Sequence, residues 1–157
     1  GNLLNRTTSM SRKWFNDTVP TDINVHEKQF LELSKKTIDN YLRYFDTYNI
    51  SQACNEILNF AIKINLYLND EKPWVLIKNT NNNNQVKQII YNVLESNRII
   101  ALLLKPILSD LSSNILAQLN QIENENQNWK DNLKWGILKP GIKLPKPIPI
   151  IEKLEYE

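Results

Sequence analysis

The chain is predicted to be all-α, a bundle of about five helices followed by an extended C-terminal strap. Three observations carry that prediction. Apolar residues recur three or four apart in five separate stretches, the period of a helix with one buried face. No stretch alternates apolar and polar residues as a half-buried strand does, and no internal repeat is visible. Prolines crowd the end of the chain at 140, 145, 147 and 149, too close together for helix or central strand. The expected organisation is one domain over 1–157, a helical bundle over 1–128 and a Pro- and Lys-rich extended segment over 129–157.

The first helix is expected over 3–15, where Leu3, Leu4, Trp14 and Phe15 share a face with Thr7 and Ser11. The run Asn16-Asp17-Thr18-Val19-Pro20-Thr21-Asp22 stacks turn formers and a proline, which ends the helix in a surface loop. Over 26–48, Phe30, Leu33, Thr37, Tyr41, Tyr44, Phe45 and Tyr48 form the stripe of an amphipathic helix, with Lys35, Lys36 and Asp39 off it. The segment 50–68 is apolar on more of its circumference. Ala53, Ile57, Phe60, Ala61, Ile64 and Leu68 make one face, Leu58, Ile62 and Leu66 lie outside it, and the segment is expected to be the central, well-covered helix. After Asn69-Asp70-Glu71-Lys72, Pro73 breaks that helix and leaves Trp74 at a helix end.

The tract 79–84 reads as a solvated connection. Val86, Ile89, Ile90, Val93, Leu94, Asn97, Ile100, Ala101 and Leu104 then mark the strongest helical period in the chain. Pro106 fits a kink or the first turn of a further helix, which Leu108, Leu111, Ile115 and Leu119 carry to about 119. A polar run over 121–128 leads to Trp129, where the strap begins.

With 157 residues and 41% apolar content, the chain can bury one sizeable core, while its formal charge of +2 is far from a polybasic binder. Any nucleic-acid contact must therefore be local, and no DNA partner is expected. The single cysteine, Cys54, excludes a disulfide framework and is compatible with a reducing cytosol without establishing it; the expected location is the cytoplasm. No apolar run approaches the roughly 20 residues that span a bilayer, so no membrane partner is expected. The opening GNLLNR has neither signal-peptide anatomy nor an initiator methionine and reads as the start of an excised piece. Asparagine fills about one position in seven, mostly between apolar positions of the helical patterns, and only 81–84 is low-complexity.

Catalytic chemistry is hard to assemble from these residues. A hydrolase triad or metal site needs converging histidines and cysteines, and the chain owns only His26, at an expected helix start, and Cys54, within an apolar helix where it reads as core. Gly1, Gly136 and Gly141 fit no phosphate-cradling pattern. The adjacent carboxylates Asp70 and Glu71 read as hydrated charge in a polar loop. No catalytic residue, metal or cofactor is expected within the chain.

One constellation points to RNA. Asn2 and Arg6 lie four apart on the first helix and share a face. They are either a solvated helix end or a carboxamide and a guanidinium that together address an unpaired base. Trp74 in turn is either a lid on the core or the platform on which that base stacks.

Three blocks add a family resemblance: GNLLNRTTSM at 1–10, NLYLNDEKPWVLIK at 65–78 and WGILKPGIKLPKPIPIIEKLE at 135–155. In this order and with these separations they closely resemble the anticodon-binding region of methionyl-tRNA synthetases. The helical stretch between the second and third blocks is similar too, including Leu104-Lys105-Pro106, so the likeness covers essentially the whole chain. Its most specific element is the pattern of Asn65, Tyr67, Glu71, Pro73 and Trp74. The resemblance implies the bundle fold of class I synthetase anticodon-binding domains and recognition of the anticodon CAU of the methionine tRNA. It maps the base-reading residues to Asn2, Arg6 and Trp74. Asn5 also precedes Arg6 and is the alternative to Asn2, although the four-residue spacing favours Asn2.

The chemistry of the residues agrees. Arginine offers only donors, and cytosine presents two acceptors, O2 and N3, on its Watson–Crick edge, whereas uracil carries a hydrogen on N3. A misplaced donor there costs roughly 1–3 kcal/mol. Asn2 both donates and accepts, and stacking on Trp74 adds roughly 1–3 kcal/mol for any base. Arg12 and Lys13 are candidates for RNA backbone contacts or ordinary surface charge.

The resemblance further implies a parent enzyme that ligates methionine to its tRNA with ATP, in a catalytic domain whose His-x-Gly-His and Lys-Met-Ser-Lys-Ser signatures are absent here. Ser9-Met10-Ser11-Arg12-Lys13 lies in an expected helix, lacks the leading lysine and is not read as an ATP loop. No catalytic activity is expected of this chain alone. Its partners would be the anticodon loop and the parent's catalytic domain. The lysines of the strap, Lys130, Lys134, Lys139, Lys143 and Lys146, are expected to ride on a segment that packs back along the protein rather than on RNA. The rival readings are the anticodon module of another class I synthetase and a helical protein-interaction domain.

Overall fold

A computed structural model describes residues 2–121 and 128–146, with Asn2 described in its backbone alone. The expected features at 122–127 and at Pro147 and Pro149 lie outside the described residues. Among the described residues the fold is helical: α1 (Asn2–Phe15), α2 (Lys28–Asp46), α3 (Ile50–Glu71), the single turn α4 (Pro73–Leu76), α5 (Asn83–Leu104) and α6 (Ser109–Gln118). Short 3-10 turns cover Thr80–Asn82 and Trp129–Asn132.

Helix α1 buries Leu4, Thr7, Thr8 and Ser11. Its threonine hydroxyls are satisfied within the helix, Thr7 donating to the Leu3 carbonyl at 2.8 Å and Thr8 to that of Leu4 at 3.0 Å. Asn16 and Asp17, both in the left-handed region, end it. Helices α2 and α3 form an antiparallel pair joined through Thr47, Tyr48 and Asn49. Tyr48 does not extend the apolar stripe of α2 as expected, because it sits past the helix end at φ 59° and is 91% exposed.

The centre of the bundle is α5, which packs against every other helix. Each residue from Ile89 to Leu103 is buried, including Asn92, Glu95, Ser96, Asn97 and Arg98. The expectation that the 50–68 segment is the central helix is therefore corrected. Helix α3 is an outer helix whose Leu58, Ile62 and Leu66 are 58%, 49% and 55% exposed. Cys54 on the same helix is half-buried rather than core. Pro106 stands neither in a kink nor in a first helical turn. It occupies the turn between α5 and α6, where the Ile107 and Leu108 amides both donate to the Leu104 carbonyl. Leu108 and Leu111 are exposed instead of continuing the stripe.

The described part of the strap, 129–146, packs back along the bundle through buried Leu133, Trp135, Leu138 and Leu144. Trp129 donates its indole N–H to the Leu102 carbonyl and Trp135 to that of Val25, each at 2.7 Å. Trp135 also stacks on Phe30 at 5.3 Å between ring centroids. The deepest attachment is Glu95, whose Oε2 accepts the amides of Gly136, Ile137 and Leu138 at 2.6, 2.7 and 3.2 Å. Its other oxygen pairs with the Arg98 guanidinium, which donates onward to the carbonyls of Asn132 at 3.0 Å and Lys134 at 2.6 Å. A short antiparallel contact, Val19 N–H to the Ile142 carbonyl at 2.8 Å, ties the strap to the loop after α1.

Candidate nucleic-acid interface

The candidate site lies where α1 passes the C-terminal end of α3. Lys72 takes a left-handed conformation, φ 50° and ψ 62°, and ends α3. Pro73 then occupies the first turn of α4, where its missing N–H costs nothing. This reversal sets half-buried Trp74 against the edge of the core. Asn82 caps the arrangement by donating to the Leu76 carbonyl at 3.3 Å.

Arg6 projects from α1 over this tryptophan, its guanidinium carbon 5.4 Å from the ring centroid. Both terminal nitrogens of Arg6 also lie 3.4 Å from the side-chain oxygen of Asn69. An open cleft of about 400 Å³ is lined by Asn5, Arg6, Ser9, Met10 and Trp74. Its chemistry is a cation, an aromatic face and small polar groups, which suits a flat ring with polar edges.

The structure thus brings together Arg6 and Trp74, residues 68 positions apart in the chain. Asn5 lines the same cleft. Asn2 begins α1 one turn before Arg6, and its side chain lies outside the described residues. Arg12 and Lys13 differ from one another. The Arg12 Nε sits 3.6 Å from the Asp17 carboxylate, whereas Lys13 is exposed. Asn69 was not singled out from the sequence, where it is one of many asparagines and its contact with α1 leaves no periodic signal.

Nearby Tyr67 is structural. Its ring meets Phe30 edge-on at 4.8 Å, its oxygen accepts from Asn92 at 3.2 Å, and burial raises its pKa. Among the described residues no group of three His, Cys, Asp or Glu could hold a metal. His26 is exposed and lies against Gly136. No helix among the described residues is long and apolar enough to cross a membrane.

Residues 19–157 match the family described as the anticodon binding domain of methionyl tRNA ligase. A methionine–tRNA ligase of Thermotoga maritima is 32% identical over 162 residues, covering 99% of this chain and 24% of that protein. One from a Nostoc species is 31% identical over 168 residues, covering 99% of this chain and 31% of that protein. Among solved structures, the free form of Mycobacterium tuberculosis methionyl-tRNA synthetase is similar with a TM-score of 0.80 at 28% identity, covering 94% of this chain and 30% of that one. The same enzyme in complex with methionyl-adenylate gives 0.81 at 28% identity, covering 94% and 29%. The chain spans between 24% and 31% of the length of these relatives.

Proposed function

The chain belongs to the family of the anticodon-binding domain of methionyl-tRNA ligase, and from that premise we propose that it reads the anticodon CAU of the methionine tRNA at the Arg6–Trp74 cleft. The observation that carries the reading is the guanidinium of Arg6 held over the Trp74 ring at an open cleft. Arg6 supplies the donors that cytosine O2 and N3 accept and that uracil N3–H opposes. Trp74 supplies stacking of roughly 1–3 kcal/mol without regard to base identity. Specificity and affinity thus rest on different residues. Asn2, one turn before Arg6 on α1, completes the base edge, and Asn5 is the alternative for that role.

Lys13, exposed on α1, is the better candidate for a phosphate contact, because Arg12 already faces Asp17. Its loss is expected to lower the salt slope of RNA binding by about 1. In the parent protein this domain selects the tRNA, in the cytoplasm, for a catalytic domain that joins methionine to it with ATP. The anticodon loop and that catalytic domain are its partners.

The test is a titration of RNA stem-loops bearing CAU or UAU against the chain at low and moderate salt. CAU is expected to bind more tightly. Arg6→Ala is expected to remove most of the preference, and Trp74→Ala to weaken both RNAs by about 5- to 150-fold. Equal affinity of the unaltered chain for CAU and UAU would overturn the proposal.

A further inference from the structure

In the free protein the space over the ring that a base would take is already partly occupied. Trp74 packs one side against the core, and Arg6 lies over the ring at the cleft. A base stacked on that ring at van der Waals distance needs the space the guanidinium holds. We infer that Arg6 is parked on Trp74 by Asn69 and yields its place to the incoming base, so that Asn69 is the positioning residue of the site; this rests on the anticodon-reading proposal above.

The geometry of the tether suits a reversible hold. One carboxamide oxygen is shared by both terminal nitrogens of Arg6 at 3.4 Å each, beyond the roughly 2.7–3.2 Å of an ordinary N–H···O bond. A neutral acceptor orients the fork without neutralising it, and the contact is solvent-exposed, so little is lost when the donors turn to a base. A carboxylate at the same position would form shorter, charge-assisted bonds and hold both nitrogens. The choice of Asn over Asp thus keeps Arg6 aimed at the cleft and transferable.

Side-chain NMR of Arg6 in the full chain reads the arrangement directly. In the free protein the Arg6 side-chain protons should be shifted upfield by the indole ring, the shift being lost in Trp74→Ala and reduced in Asn69→Ala. Saturation with the CAU stem-loop should reverse the shift. Asn69→Asp should weaken CAU binding about tenfold. In an Arg6→Ala background the same substitution should change binding by less than about twofold. No upfield shift in the free protein, or a shift insensitive to Asn69→Ala, overturns the parking. An Asn69→Asp loss that persists without Arg6 shows repulsion of RNA and overturns Asn69 as positioner. If CAU preference holds while the upfield shift survives in the complex, the exchange fails and the anticodon reading stands. If RNA reverses the shift without preference for CAU, the anticodon reading fails and the exchange stands.

Discussion

Glu95 and Arg98, one turn apart on α5, pair inside the bundle and between them hold five backbone groups of the strap. Both side chains are buried, at 0% and 2% exposure. Each neutralises the other, and the strap satisfies what the pair leaves over. The part of the strap from Asn132 to Leu138 is therefore built into the core rather than appended to it.

Removing one partner should be costly. Arg98→Met is expected to lower the unfolding free energy by about 3–5 kcal/mol, read as a lower urea midpoint at unchanged slope. Adding Glu95→Gln should recover part of the loss, since the carboxamide oxygen still accepts strap amides. A double variant no better than the single one would refute the charge argument.

Gly136→Ala tests how closely the strap approaches the loop that leads into α2. The residue has φ 94°, and an added Cβ would lie 2.6 Å from Cε1 of His26 and 3.1 Å from Cγ1 of Val25. The expected cost is about 1–3 kcal/mol. His26→Ala in the same chain should relieve only the steric share in thermal melts. Full recovery would show that the left-handed backbone contributes nothing.

Three tyrosines predict the alkaline limit of the fold. Burial pushes Tyr41 up to about 12, with a smaller contribution from Cys54. Burial raises Tyr67 and Tyr91 further, Glu95 adding to the effect on Tyr91. Their folded values exceed the unfolded value of about 10, so the folded state favours the neutral phenols. Their stabilising contribution is complete below about pH 10 and is lost as pH rises through the folded values. Phenolate absorbance from these residues should appear together with loss of the helical signal. Their ionisation near pH 10 with the helices intact would contradict this.

Neighbouring positions on α3 should respond in opposite ways. Ile62 is 49% exposed, so Ile62→Lys should change stability by no more than about 0.5 kcal/mol. Ile64 is fully buried, and Ile64→Ala should cost about 2–5 kcal/mol. Denaturant melts of the two variants separate an outer helix from a central one, and a loss above 2 kcal/mol for Ile62→Lys would restore the central reading.

The helices themselves were legible because apolar spacing and proline position report on local structure. The 3–15, 26–48 and 50–68 segments correspond to α1, α2 and α3, and the Pro73-Trp74 break lies where proline geometry demands it. Depth was less legible. Leu58, Ile62 and Leu66 made α3 look covered, while the polar residues of α5 disguised the true centre. Burial of Glu95 and Arg98 depends on backbone partners some 34 to 43 residues away, which no local pattern reveals. At the site, the spacing of Asn2 and Arg6 and the Pro-Trp step were visible in the chain. The contact of Asn69 with Arg6 was not, since it exists only once α1 and α3 are packed.

The pinning of the strap also orders events during synthesis. Glu95 leaves the ribosome 41 to 43 residues before the three amides that satisfy it. At about 5–20 residues per second that gap lasts seconds. Until the strap arrives, the groups of Glu95 and Arg98 that it satisfies in the finished fold would have only water as partner. The final consolidation of α5 is thus timed by the arrival of Gly136, and a transcript truncated before that codon would yield helices without a finished core.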